Sequence, residues 1–251
     1  MQKEEQLIQK RFSELSNIAF HRNIVTYTDF LNLNELNILH TLPKDLLFTK
    51  YQSFGGYDLA ERQMVAFLPD ALYYEVNYPY QVCKISALNA KYSETLTHRD
   101  YLGAILNLGI DRSRIGDILV MENETVLFVQ SSMVDFICSE LTRIRHTTVL
   151  AAAIPATDFH YVPKIEEITG TVASVRLDSL LSLAFSSSRS KLVGLIEGGK
   201  VFVNGRLITT NSYQMKENDI VSVRGMGKFQ YVTTLSTTKK NRALIQLHKY
   251  I

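Results

Sequence analysis

The stretch from Val175 to Arg206 constrains the fold most, because it holds the signals for two helices, a turn and a strand. Apolar residues at helical spacing give the first helix one buried face: Leu177, Leu180, Leu181 and Ala184. The serines at 186–188 end that helix and cap the next, which begins at Arg189. Gly198-Gly199 stops the second helix, and Asn204-Gly205 predicts a tight turn after a short strand.

The basic residues of the chain are concentrated around the same stretch. The whole chain carries 27 Lys and Arg against 25 Asp and Glu, a net charge of +2. Residues 171–251 hold 12 of the basic and 4 of the acidic residues, whereas the other 170 residues hold 15 and 21. A basic segment joined to an acidic body indicates that a polyanion docks at one end. The alternative is a basic surface that only keeps the chain soluble.

Several positions in and after this stretch carry a resemblance to a known RNA-binding module. They are Arg176-Leu177-Asp178, Leu181, Ser188-Arg189, Ile196, Gly199, Val201, Val203, Asn204-Gly205 and, further on, Asp219 to Gly225. In this spacing they resemble the S4 RNA-binding domain, in which two helices and the following hairpin present one basic face. The chain departs from the commoner S4 pattern at Phe185-Ser186-Ser187, where a glycine or a basic residue is frequent.

The resemblance implies an RNA-binding face made of charged residues and one amide. The implied contacts are Arg176, Arg189, Lys191, Lys200, Asn204 and Arg206, and the same patch extends to Arg224 and Lys228. Some of them have a structural alternative. Arg176 or Arg189 can pair with Asp178 across the helices, and Lys200 can be a plain solvated side chain. Asn204 shapes the turn with Gly205 and can also offer its amide to the RNA backbone.

The first part of the chain predicts a small α/β domain over residues 1–78. Residues 1–21 show helical apolar spacing, and a short second helix is predicted from Asn34 to Thr41. Two strands, at 46–53 and 62–68, follow around Gly55-Gly56-Tyr57. Aromatic side chains surround this turn, and we expect them to pack there; stacking on RNA bases is the alternative.

Residues 79–160 predict a ferredoxin-like domain of the order β-α-β-β-α-β, an arrangement shared by many RNA-recognition domains and by many domains that bind no RNA. Apolar residues recur at helical spacing from Met133 to Ile144 and predict its second helix. The strand at 125–130 offers only Phe128 as an aromatic residue, so base stacking is not expected there. Arg112 and Arg114, in the loop after the first helix, are candidates for binding an RNA backbone, as are the arginines at 143 and 145. The alternative is a solvated charged loop.

The complete prediction is a multi-domain α+β protein, in which residues 161–251 supply a linker strand and the S4-like domain. No phosphate-cradling glycine loop, nucleophile elbow or metal-ligand spacing is present, so we expect no cofactor and no enzymatic activity. A pseudouridine synthase would need a second Arg-Leu-Asp run, and a methyltransferase would need a glycine-rich loop after a first strand. The charged first residues, the lack of long apolar runs and the separated cysteines predict a cytoplasmic protein without membrane contact.

Three segments outside the S4-like region resemble the YlmH family of bacterial S4-domain RNA-binding proteins. They are Phe54-Gly55-Gly56-Tyr57 with Ala60-Glu61-Arg62, then His98 to Leu106, and Gly109-Ile110 leading to Ile115-Gly116-Asp117-Ile118. Membership implies a ribosome-associated protein that rescues stalled large subunits still carrying peptidyl-tRNA, with its gene among cell-division genes. We expect it to bind rRNA or tRNA as a monomer. One alternative is an adaptor that links RNA or ribosomes to a cell-division protein, and another is an RNA-modifying enzyme.

Overall fold

A computed structural model describes residues 2–72, 75–89, 91, 93–121 and 124–251, and the side chains of residues 2 and 189 lie outside this description. The chain forms two compact units, Met1–Tyr161 and Val162–Ile251. Helices and mainly antiparallel sheets occur in both, so the protein is α+β and multi-domain, as the sequence predicts. The predicted domain limits at residues 78 and 160 stay predictions. Within the described ranges, no helix has the length and apolar character needed to span a membrane.

The first unit begins with a small layer of helices on a three-stranded sheet. Its elements are α1 (Gln2–Arg22), β1 (Thr26–Tyr27), α2 (Leu33–Thr41), β2 (Lys50–Phe54) and β3 (Met64–Leu68), with sheet order β1-β3-β2. Asn32 caps α2 by accepting hydrogen bonds from the Asn34 and Glu35 amides, and Glu35 accepts from the Asn32 amide. This reciprocal cap explains why the helix begins where it does. Phe12 and Leu36 then pack against Phe67 in one buried core.

The rest of the first unit has the predicted ferredoxin-like arrangement. Its elements are β4 (Tyr80–Ala87), α3 (His98–Asn107), β5 (Ile115–Val120), β6 (Thr125–Gln130), α4 (Val134–Glu140), β7 (Arg143–Ile144) and β8 (Thr147–Ile154). The sheet is antiparallel, in the order β5-β6-β4-β8-β7. Ile105 of α3 and Ile137 of α4 pack on the face that carries Leu127.

The predicted extent of the second helix is wrong. Helix α4 ends at Glu140, and Ile144 lies in the short strand β7 opposite Thr147. Leu141 and Ile144 are both buried in the core that α4 also contacts, so their spacing matched a helix, although Leu141 caps the end of α4 and Ile144 reaches the core from a strand. A short apolar run cannot distinguish these two routes by periodicity alone.

The two cysteines, distant in sequence, are neighbours in the first unit. The Sγ atoms of Cys83 in β4 and Cys138 in α4 are 3.9 Å apart, and both are free thiols. Cys83 is fully buried. Burial, and next the nearby Cys138 thiol, raise the pKa of Cys83 to about 12.

This pKa predicts that the Cys83 thiol is inert in the folded protein. Because only the thiolate reacts, iodoacetamide at neutral pH is expected to leave Cys83 unmodified until urea unfolds the unit. Peptide mass spectrometry of samples labelled before and after denaturation measures this directly. Equal labelling of Cys83 in both samples would contradict the burial and the raised pKa.

The second unit is a six-stranded antiparallel sheet with two helices on one face. Its elements are β9 (Ile165–Val172), α5 (Leu177–Phe185), α6 (Arg189–Glu197), β10 (Val201–Val203), β11 (Arg206–Leu207), β12 (Ile220–Val223), β13 (Gly227–Thr237) and β14 (Ala243–Tyr250). The sheet order is β11-β10-β12-β13-β14-β9. The predicted apolar face of α5 is confirmed, since Leu177, Leu180, Leu181 and Ala184 are all buried in this core. Ser186 ends α5 in the left-handed region, at φ 46°.

Candidate nucleic-acid interface

Three predicted contacts, Lys200, Arg224 and Lys228, meet at one end of the six-stranded sheet. Lys200 directly precedes β10 and Arg224 directly follows β12, and the Arg224 amide donates to the Lys200 carbonyl at 2.9 Å. Lys228 lies in β13 opposite Ser222 of β12. We call these three residues the basic cluster. Three positive charges held close together repel one another. An anion bound here relieves this repulsion and is attracted by all three side chains.

The basic cluster lies on the face of the sheet opposite α5 and α6. The register places Phe202 beside Ser222 and Ser222 beside Lys228, so these side chains share one face, while the neighbouring valines of β10 point toward the helices. The guanidinium carbon of Arg224 lies 5.3 Å from the centroid of the Phe202 ring. This cation–π contact holds the Arg224 side chain over the sheet, and both Arg224 and Lys200 are exposed to solvent.

Arg176 makes an ion pair inside the second unit. Its Nη2 lies 3.1 Å from Asp178 Oδ2 and its Nε lies 3.3 Å from Asp178 Oδ1. Asp178 is buried, and a buried carboxylate needs such a partner. The alternative that Arg176 pairs with Asp178 is therefore the arrangement observed, although both residues lie at the start of α5 and the pair does not cross between helices.

The remaining predicted contacts on this unit are spread beyond the basic cluster. Lys191 is exposed on α6, and Arg206 is exposed on the outer strand β11. Arg189 begins α6, but its side chain lies outside the described part of the structure. These three residues stay predicted contacts.

Asn204 uses its amide within the protein. Asn204 and Gly205 have φ angles of 49° and 77°, which is the left-handed pair that a two-residue hairpin of type I′ requires. The Asn204 Nδ2 donates to Asp219 Oδ1 at 2.7 Å, and its Oδ1 accepts from the Ile220 amide at 2.9 Å. The side chain thus ties the hairpin to the start of β12, which positions the strands that carry the basic cluster.

Arg112 and Arg114 are also held inside their own unit. Arg112 Nη1 donates to the carbonyls of Ile115 and Gly116 at 2.7 and 3.0 Å. Burial, and next the neighbouring Arg62, lower the pKa of Arg112 to about 10. Arg114 lies 3.6 Å from Asp29 and donates to Gln130. This segment differs from the solvated charged loop that was the alternative, and contact of either arginine with RNA stays a prediction.

A carboxylate that sequence reasoning missed joins two of the family-like segments. Asp117 accepts hydrogen bonds from the Tyr57 hydroxyl at 2.9 Å, from the Glu61 amide at 2.7 Å and from the Arg62 amide at 3.1 Å. Asp117 belongs to one of the segments that resemble the YlmH family, and this resemblance was the sequence signal that could have identified it. Hydrophobic periodicity alone gave Asp117 no role. The carboxylate fixes the loop that contains Gly55-Gly56-Tyr57 against β5.

Aromatic side chains of the first unit cover the sheet face where an RNA-recognition domain would stack bases. Phe128 is fully buried. The Tyr57 ring stacks on it at 5.5 Å and 21°, and Phe159 meets it edge-on at 5.1 Å. Burial, and next Asp117, raise the pKa of Tyr57 above its ordinary value. Tyr57 therefore packs around its glycine turn, as predicted, and Phe128 has no free face for a base.

The described residues contain no group of three or more His, Cys, Asp or Glu side chains that could hold a metal ion. The polar arrangements found, the basic cluster and the Asp117 network, are suited to binding anions and to fixing loops. The interface that the geometry supports is therefore cationic.

Comparisons with known proteins agree with this assignment. Residues 74–158 match the family model described as "Putative RNA-binding domain in YlmH", and residues 175–221 match the model of the S4 domain. The description of the first model names RNA binding. In this chain the match to the first model precedes the match to the S4 domain.

Two relatives extend the comparison over more of the chain. "Ribosome-associated protein quality control protein P2" of Bacillus subtilis (strain 168) is 31% identical over 224 residues, which cover 86% of this chain and 83% of that protein. A solved structure, "Cell division protein ylmH from Streptococcus pneumoniae", has a TM-score of 0.50 at 24% identity, covers 62% of this chain and 93% of its own, and shows the fold alone. Since the first similarity extends over most of both chains, the protein belongs to the YlmH family of bacterial S4-domain RNA-binding proteins.

Proposed function

We propose that this protein is a cytoplasmic, non-enzymatic factor that binds structured rRNA and tRNA as a monomer and without a cofactor. Its target is the large ribosomal subunit that still carries peptidyl-tRNA, and its role is the rescue of stalled translation. The observation that carries the proposal is the basic cluster of Lys200, Arg224 and Lys228 on the S4 unit.

The physical argument begins with phosphate neutralisation. Each phosphate that a lysine or arginine neutralises releases condensed counterions, so affinity for RNA falls steeply as salt rises. The basic cluster supplies three cations at one end of a rigid sheet, and its strands are fixed by the Asn204 hairpin. We propose that Arg189, Lys191 and Arg206 extend this surface. The ribosomal target is supported by the name of the relative from Bacillus subtilis, which describes ribosome association and quality control.

The test is a double charge reversal in the basic cluster. Lys200→Glu combined with Arg224→Glu is expected to weaken cosedimentation with purified bacterial large subunits by roughly 100-fold, because two phosphate contacts become repulsive. The dependence of affinity on salt should also become shallower by about two in the logarithmic slope. Thermal unfolding should change little, since both side chains are exposed.

The matched control makes the same charge change elsewhere. Lys44 and Lys50 are exposed on the first unit, and their reversal to glutamate alters net charge equally. This control should bind large subunits almost as the parent protein does. Equal loss in both variants would indicate a net-charge effect, and unchanged binding of the cluster variant would overturn the proposal. Binding that does not depend on salt would favour a protein partner, as the adaptor alternative requires.

A further inference from the structure

A second cationic site lies in the first unit, on the side of the ferredoxin-like sheet that α3 and α4 cover. It is a groove of about 500 Å³ between α3 and the segment that joins α4 to β7. Three arginines line it, Arg99 from α3 and Arg143 and Arg145 from the β7–β8 hairpin. Asp100 and Glu140 also line it. The aromatic face closed by Tyr57 and Phe159 is the opposite face of the same sheet, because Phe128 and Leu127 alternate along β6.

The arginines of the hairpin are held by neighbouring groups. Arg145 has a left-handed backbone, φ 52°, and its carbonyl accepts from Arg143 Nε at 3.0 Å. Arg145 Nη1 lies 3.5 Å from Asp100, and its Nε lies 3.9 Å from Glu94. Hydrogen bonds from Thr97, and also the charge of Arg145, lower the pKa of Asp100, so this carboxylate stays ionised and keeps Arg145 in place.

Arg99 and Arg143 differ from Arg145 in having no acidic partner among the residues that the structure describes. Within the described ranges neither guanidinium forms an ion pair, and both side chains are exposed. Glu140 Oε1 instead accepts from the Ser139 hydroxyl at 3.3 Å. Two planar guanidinium groups are thus available at the groove, and the guanidinium fork matches the oxygens of a phosphate.

One of the residues that line the groove is a glycine inside a helix. Gly103 lies in the interior of α3, where glycine costs about 1 kcal/mol relative to alanine. A Cβ added at Gly103 would meet no heavy atom within 4 Å, so packing does not explain the missing side chain. Gly103 lines the groove together with Arg99 and the hairpin, so a long side chain introduced there would lie close to the arginines.

We infer that this groove binds the ribose-phosphate backbone of one RNA strand, with Arg99 and Arg143 contacting phosphates and Arg145 positioning the hairpin. The inference rests on the proposed function and adds a second RNA contact to it. Because Tyr57 and Phe159 cover the aromatic face, the ferredoxin-like part contacts the backbone of RNA and does not stack on its bases. The basic cluster and the groove therefore make two separate cationic contacts, each on its own unit.

The test uses the full-length protein and purified bacterial large subunits, over a range of about 50 to about 300 mM salt. Arg99→Gln combined with Arg143→Gln should weaken binding roughly tenfold and lower the logarithmic salt slope by about two. Glu140→Gln should strengthen binding, because it removes a negative charge from the groove.

A matched pair at Gly103 separates charge from shape. Gly103→Glu places a carboxylate over the arginines and Gly103→Gln places an amide of the same size there, so Glu should weaken binding more than Gln. Gly103→Ala controls for the backbone change, and it should bind normally and melt at a higher temperature. Circular dichroism melts confirm that each variant is folded.

The binding results distinguish failure of the proposed function from failure of the groove inference. If the parent protein does not bind large subunits, the proposed function fails and the inference fails with it. If the parent binds and the basic-cluster variant loses binding, but the arginine pair and Gly103→Glu bind as the parent does, only the inference is overturned. Loss in the arginine pair together with Gly103→Glu weaker than Gly103→Gln supports it.

Discussion

The Arg62→Ala variant is expected to lose about 3 kcal/mol of unfolding free energy, a large share of the roughly 5–15 kcal/mol of a typical domain. Arg62 Nε donates to the Ile115 carbonyl at 2.8 Å, and its Nη2 donates to the carbonyls of Phe30 and Arg112 at 2.8 and 3.0 Å. The Phe30 carbonyl belongs to one segment of the first unit, and the Arg112 and Ile115 carbonyls belong to another, directly before and at the start of β5. Removing the guanidinium takes its charged donor from the Phe30 carbonyl, whereas the Ile115 carbonyl keeps Arg112 Nη1 and the Arg112 carbonyl keeps the Ile115 amide. A carbonyl that loses its donor in a partly buried site is costly.

Burial makes the Arg62 interaction strong as well as difficult to replace. Burial lowers the pKa of Arg62, and the nearby carboxylates of Glu35 and Asp117 act in the opposite direction. A lysine at this position has one ammonium group, which cannot reach all three carbonyls in the planar geometry of the guanidinium. Arg62→Lys is therefore expected to recover less than half of the loss.

Urea unfolding followed by circular dichroism and tyrosine fluorescence measures the Arg62 effect. The matched control is Arg99→Ala, because Arg99 is an exposed arginine of the same unit, and its change should stay within about 0.5 kcal/mol. A loss below about 1 kcal/mol for Arg62→Ala would show that the Phe30 carbonyl finds another donor and that the guanidinium is dispensable for stability.

Alanine substitutions at three glycines of the first unit should give three distinct results. Gly56 has φ +100°, and a Cβ there would overlap the Cδ1 and Cε1 atoms of the buried Phe128 ring. Gly56→Ala is expected to cost about 3 kcal/mol or more, because left-handed backbone strain adds to overpacking of the ring. The substitution should also separate the stacked rings of Tyr57 and Phe128.

The other two glycines isolate the separate contributions to this cost. Gly109 has φ +82° but open space around a would-be Cβ, so Gly109→Ala should show backbone strain alone, about 1–2 kcal/mol. Gly103 has neither problem, so Gly103→Ala should stabilise the helix by up to about 1 kcal/mol. Urea midpoints of the three variants give this order. A Gly56→Ala cost no larger than that of Gly109→Ala would contradict the close approach to Phe128.

Much of the local structure followed from short-range pattern. The capped, amphipathic helices, the Asn204-Gly205 hairpin and the β-α-β-β-α-β order each depend on residues a few positions apart. Such features are set by backbone conformation and by which face of an element is apolar, and both can be read from neighbouring residues. The family membership was likewise visible in residue spacing. The end of α4 was not, since Ile144 enters the core from a strand.

The roles of individual charged residues depended on partners distant in the chain. Arg112 and Arg114 looked like available cations, but the fold supplies carbonyls and Asp29 to hold them. Asn204 finds Asp219 only because the strands pair. A hydrogen bond between remote segments leaves no period in the sequence, so pattern alone cannot detect it.

The sequence by itself determined that this is a multi-domain α+β chain with an S4 module and a basic end, because helix and strand periodicity and charge are local properties. Only the tertiary structure decided which cations converge. Strand pairing brings Lys200 and Arg224 together, and packing of α3 beside the β7–β8 hairpin opens the arginine groove. Tertiary contacts also buried Phe128 under Tyr57 and Phe159. The physical reason is that contacts between residues distant in the sequence decide which cations lie together and which rings are buried, and the spacing of residues along the chain does not specify these contacts.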